Sequence, residues 1–94
     1  MFYVYVIANQ QQVYVGYTCD LKRRFSEHNS KENNGWTSRS GQWKLVYYEA
    51  YQSKQDAQTR ERKLKQRGNS KALLLKRINK SLNEVRNVLG DGTL

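Results

Sequence analysis

Proline is absent, and cysteine and histidine occur once each, as Cys19 and His28. A lone cysteine excludes an internal disulfide and a multi-cysteine zinc site; a lone histidine excludes a multi-histidine metal centre. Without proline there is no proline-rich linker. Long apolar runs are missing too. The longest, Met1–Ala8, is eight residues, against about twenty needed to cross a bilayer. It has no basic leader and no cleavage pattern, so neither a membrane span nor a secretory signal is expected. These absences point to a cytoplasmic protein. Acidic residues are scarce: 8 Asp and Glu stand against 17 Lys and Arg, a net charge of +9.

What is present suffices for one thin core. The 94 residues are 37% hydrophobic and 12% aromatic, which argues against disorder. One domain over 1–90 is expected, with a short tail at 91–94. A monomer is assumed, since nothing in the sequence bears on oligomeric state. The charge is concentrated: residues 51–80 hold ten bases and two acids. Such a block suits a polyanion, most simply nucleic acid. A solvated helix face is the plainer alternative.

Phe2–Ile7 and Val13–Tyr17 are rich in aromatic and β-branched residues and predict two strands. The polar break at Asn9–Gln12 suits an antiparallel hairpin. No Asn-Gly or Asp-Gly fixes its turn. If odd positions pair with even ones, Tyr5 and Tyr14 share a face; a one-residue slip separates them. Thr18 and Asp20 are both good helix N-caps, so a helix through about Asn29 follows. Leu21, Arg24, Phe25 and His28 fall on one side of it. Ser30–Gln42, with Gly35 and Gly41, reads as a loop containing Trp36 and Thr37. Trp43–Tyr51 predicts a third strand. Ser53-Lys54-Gln55-Asp56 has the form of a helix start. That helix should run to about Gln66, with Gly68 as a stop beyond it. Leu74, Ile78 and Leu82 mark a further helical stretch from Ser70. Ser81-x-x-Glu84 offers a restart for a last short helix closed by Gly90.

Several polar groups lie on stripes that should be dry. Glu61 sits between Ala57 and Leu64 on one helix face, amid Arg60, Arg62, Lys63 and Lys65. A buried carboxylate needs a partner. It is either paired with a nearby arginine or a ligand for a divalent cation such as Mg2+, which prefers oxygen donors. Arg24 either snorkels to solvent or forks a phosphate. Tyr5 and Tyr14 are either packing residues or proton relays. Cys19 and His28 are nine positions apart and do not meet on one helix.

The ordered set resembles the GIY-YIG nuclease superfamily, in particular its small stand-alone bacterial members. The first motif falls on Tyr3-Val4-Tyr5, keeping only its last tyrosine. The second falls on Tyr14-Val15-Gly16. Arg24 follows Gly16 by eight residues and His28 follows Arg24 by four, as in the family. Trp43–Glu49 is similar to the family's third strand, and Glu61 to its helical glutamate. Asn69 is a candidate for the late asparagine of some members. The likeness spans about residues 2–80.

The resemblance implies an α+β fold, a small three-stranded antiparallel sheet flanked by helices. It implies an endonuclease that hydrolyses phosphodiester bonds in DNA, or in RNA, with one Mg2+ or Mn2+. Glu61 would be the metal ligand and Arg24 would stabilise charge at phosphorus. Tyr5 or Tyr14 would orient or deprotonate water, and His28 would assist. Arg60, Lys63, Lys65, Arg67 and Lys71 would track the nucleic-acid backbone without reading bases. Two other readings compete: a nucleic-acid-binding module of this fold without effective catalysis, and an adaptor for an acidic protein.

Overall fold

The first aromatic run becomes the middle of a sheet. In this computed structural model, which describes residues 1–30 and 42–90, strand β1 (Phe2–Ala8) lies between β2 (Val13–Thr18) and β3 (Lys44–Tyr51), with both pairings antiparallel. Helix α1 (Leu21–His28) joins β2 to the approach to β3. Helices α2 (Lys54–Lys65), α3 (Ser70–Arg77) and α4 (Asn79–Gly90) follow. The α+β class, with its three-stranded antiparallel sheet and flanking helices, is therefore present. Trp36, Thr37 and the tail 91–94 lie outside the described residues.

The hairpin pairs odd with even positions: Tyr5 faces Gly16 and Ile7 faces Tyr14. Tyr5 and Tyr14 thus share a face. Asn9 builds the turn. Its Oδ1 accepts from the Gln11 and Gln12 amides at 3.0 and 2.8 Å, and its own N–H donates to the Gln12 carbonyl at 3.1 Å. This side-chain turn replaces the Asn-Gly signal that the sequence lacks.

Being central, β1 is covered on both faces, and Val4–Ala8 are all buried. Val4, Val6 and Val15 pack with Ala57 and Leu64 of α2, Leu74 of α3 and Ile78. Each fully buried aliphatic side chain of this kind contributes about 1.5–3 kcal/mol. On the other face Tyr5, Ile7 and Trp43 pack with Tyr14, Leu45, and Leu21 and Phe25 of α1. A β-bulge shifts the β1–β3 register: Val6 faces Tyr47 but Ile7 faces Leu45, leaving Val46 as the extra residue.

Asp20 caps α1, its carboxylate accepting from the Arg23 amide at 3.1 Å. Ser53 caps α2 in the same way through the Asp56 amide at 3.3 Å. The last helical stretch departs from expectation. Its break falls at Ile78, and Ser81 lies inside α4. No glycine or proline marks the break. It keeps Leu74, Ile78 and Leu82 all buried, so packing rather than local sequence positions it. Arg86 returns α4 to the hairpin, its Nε donating to the Asn9 carbonyl at 3.0 Å.

Candidate active site

The site grows from the face of β1 and β2 that α1 covers. Tyr5 reaches across the sheet toward β2, where position 16 is glycine. A Cβ there would lie 2.3 Å from the Tyr5 Cζ and hydroxyl oxygen. Only hydrogen at this position lets the ring cross the neighbouring strand. The phenol then meets His28, at the last turn of α1, with 2.6 Å between Oη and Nε2. Both residues are fully buried.

Tyr14 completes an aromatic triangle. Its ring centre is 5.1 Å from that of His28 and 6.4 Å from that of Tyr5. Lys65 lies over the Tyr14 ring with Nζ 5.1 Å from its centre, a cation–π geometry. The same ammonium is 3.2 Å from the Glu61 carboxylate. Glu61 is half-buried, its side chain 23% exposed, and its charge acts on the Tyr5 phenol. Arg24 donates to Glu27 at 3.0 Å, and its charge acts on the Tyr5 phenol. Tyr5, Tyr14 and His28 thus meet directly, Glu61 is linked to Tyr14 through Lys65, and the charges of Arg24 and Glu61 both reach the Tyr5 phenol.

The electrostatics set the protons. Burial pushes the Tyr5 phenol well above the ordinary tyrosine value; Tyr14 and Glu61 add to this and Arg24 opposes it. Burial, then the Arg24 charge, lowers the His28 imidazole to about 4, against the pull of Glu27. At neutral pH Tyr5 is therefore protonated and His28 neutral. A protonated phenol at this distance donates to Nε2 of the His28 tautomer that carries its proton on Nδ1.

The donor chemistry also defines what ion would fit. Among the described residues no group of three or more His, Cys, Asp or Glu converges on a point. Glu61 supplies a single carboxylate, 3.2 Å from the Lys65 ammonium. This suits a hard cation that keeps most of its waters, such as Mg2+, and does not suit zinc.

The basic residues divide. Lys63 and Arg67 are exposed and Lys71 is half-buried. Lys65 is engaged with Glu61 and Tyr14, as above. Arg60 forks Glu49 instead, with Nε and Nη2 each 3.0 Å from a carboxylate oxygen. Tyr47 donates to Glu49 at 2.6 Å, and Tyr51 donates to it as well. Burial pushes Glu49 up, but these donors outweigh it and hold the carboxyl below its usual range. The cluster ties α2 to β3 next to Glu61. Asn69 is exposed and stands before α3 without a side-chain cap bond.

Three contributors escaped the sequence reading. Gly16 appeared there only as a motif letter; a glycine inside a strand is itself a sign of close approach. Asn29 holds Trp43 at two points, accepting from its amide at 2.8 Å and donating to its carbonyl at 3.1 Å. This fixes the His28 end of α1 to the start of β3. The Glu49–Arg60 pair links elements eleven positions apart, with no local pattern to announce it.

The chain belongs to the GIY-YIG family: the model of the GIY-YIG catalytic domain matches residues 1–80. Nucleases of this family act on nucleic acid and generally use divalent metal ions. A UPF0213 protein of Streptococcus agalactiae is 39% identical over 66 residues, covering 69% of this chain and 75% of its own. One from Clostridium perfringens is 37% identical over 62 residues, 65% of this chain and 67% of its own. One from Haloquadratum walsbyi is 34% identical over 64 residues, 67% and 72% respectively. No solved structure matches. Among the described residues no helix is long and apolar enough to cross a membrane.

Proposed function

We propose that this protein is an endonuclease that hydrolyses phosphodiester bonds in DNA, with a divalent metal, using Tyr5, Tyr14, Arg24, His28 and Glu61. The 2.6 Å contact between Tyr5 Oη and His28 Nε2 carries the reading. It supports a two-step proton path: attacking water to phenol oxygen, and phenol proton to imidazole. The new P–O bond forms as the bond to the leaving nucleotide breaks, and the leaving alkoxide takes a proton from solvent. With its imidazole lowered to about 4, His28 is ready to accept throughout the neutral range. Protonating it at pH 7 costs about 4 kcal/mol, a cost that an adjacent phosphate charge offsets. Arg24 is suited to hold that phosphate and to stabilise charge growing on it.

Glu61 would hold the ion, Mg2+ or Mn2+, which supplies charge neutralisation and polarises the phosphoryl group. Tyr14 lines the same wall and orients water or phosphate. The exposed Lys63 and Arg67, with Lys71, suit backbone contacts that do not read sequence.

The Glu61–Lys65 ion pair favours a second reading, a binding module of the same fold whose carboxylate is committed to lysine. A plasmid-nicking assay with Mg2+ or Mn2+ separates the two. The nuclease reading expects wild type to nick, and Glu61→Ala and Arg24→Ala to lose at least a hundredfold in rate while still binding DNA. Wild type that binds without nicking, or variants that nick like wild type, would overturn it.

A further inference from the structure

Beside α1, on the face that carries Tyr5, the described residues leave the sheet partly uncovered. Tyr3, Tyr48, Leu45, Leu21 and Phe25 line a shallow, largely apolar surface there, with Lys22 at its margin. Tyr48 is 52% exposed, high for an aromatic ring on a sheet face. It packs against Tyr3 in a T-shape, with ring centres 5.9 Å apart. Such a pair holds two rings in place while leaving ring surface open.

The surface is continuous with the catalytic cluster. Tyr48 is the direct cross-strand partner of Tyr5 on β3, so their Cβ atoms are about 4.5–5.5 Å apart. Tyr3 lies on the same face one strand repeat from Tyr5, about 6–7 Å along β1. Leu21 and Phe25 share the α1 stripe that carries Arg24 and His28. A strand with its phosphate at Arg24 would therefore have an adjoining base at Tyr3 and Tyr48.

The charges suit a nucleic-acid strand. Lys22 is exposed beside the rings, and the chain as a whole carries +9. The acid at the margin, Asp20, is spent on capping α1 and on Arg23, 3.8 Å away.

We infer that Tyr3 and Tyr48 form a stacking platform for an unpaired nucleobase next to the scissile phosphate. The inference rests on the nuclease reading for its register and sharpens the substrate class to strands with an unpaired base. Paired bases bury their faces in the duplex and cannot use such a platform, whereas any unpaired base can. Lys22 serves the neighbouring phosphate as a point charge.

Binding without cleavage tests this separately from catalysis. Fluorescence anisotropy in EDTA would compare labelled dT and rU oligonucleotides with a blunt duplex of equal length, for wild type, Tyr48→Ala and Tyr48→Phe. Tyr48 is exposed, so both variants should keep the melting temperature. Tyr48→Ala is expected to weaken single-strand binding by roughly tenfold or more, and Tyr48→Phe to retain it. Duplex binding should be unchanged. Equal loss in the dT and rU arms assigns the platform to bases in general; loss in one arm assigns it to that nucleic acid. Unaltered single-strand binding by Tyr48→Ala, or equal loss on duplex, overturns the platform. A protein that binds single strands through Tyr48 yet never cleaves would refute the nuclease reading and leave the platform standing.

Discussion

The Tyr5 ring lies directly over Gly16, so close that a single methyl group there would come within 2.3 Å of its Cζ and hydroxyl oxygen. Both atoms belong to a buried side chain already in contact with His28, so the ring has little room to give. Gly16→Ala is expected to destabilise the fold by about 1–3 kcal/mol through overpacking. Below the melting temperature it should also displace the phenol from His28. Urea denaturation measures the first effect. Loss of the near-ultraviolet circular dichroism of the Tyr5 environment measures the second. A variant as stable as wild type with an unchanged spectrum would show that the ring lies elsewhere.

Much of this geometry could be read from the sequence, and the reasons are specific. The β1 and β2 strands were legible because Tyr, Val and Ile dominate them. Arg24 and His28 were legible as partners because four residues make a helical turn. Register was not, because Asn9 forms its turn through a side chain that also suits an ordinary loop. The break at Ile78 was hidden in an unbroken Leu74–Ile78–Leu82 stripe, whose spacing fits one helix as well as two. Glu61 pairs with Lys65 rather than with the nearby arginine expected for it, because Lys65 lies one helical turn on and Arg60 is drawn across to Glu49.

His28 makes stability depend on pH. The unfolded chain binds a proton near the ordinary imidazole value of 6.5, whereas the folded chain resists it until about 4. Between these values the unfolded state holds more protons, so stability falls as pH falls. The loss between pH 7 and pH 5 is expected to be roughly 2 kcal/mol. His28→Gln should flatten that slope even where it lowers stability overall. Glu49, whose carboxyl is held low, contributes only further into acid. Denaturant titrations at pH 5, 6 and 7 read both slopes, and parallel slopes would contradict the assignment.

The Glu49–Arg60 fork should behave as a coupled pair. A double-mutant cycle of Glu49→Gln and Arg60→Met is expected to give a coupling of about 1–3 kcal/mol. Additive stabilities would reduce the pair to two independent surface contacts.

In the proposed reaction a phenol and an imidazole, hydrogen-bonded in the core, act together on a phosphodiester. Single-turnover cleavage of a labelled oligonucleotide by wild type, Tyr5→Phe, His28→Gln and the double variant tests it most directly. Each single variant should lose roughly a hundredfold or more in rate, and the double variant should be little worse than either. Losses that multiply, or single variants that cut at the wild-type rate, would contradict the account.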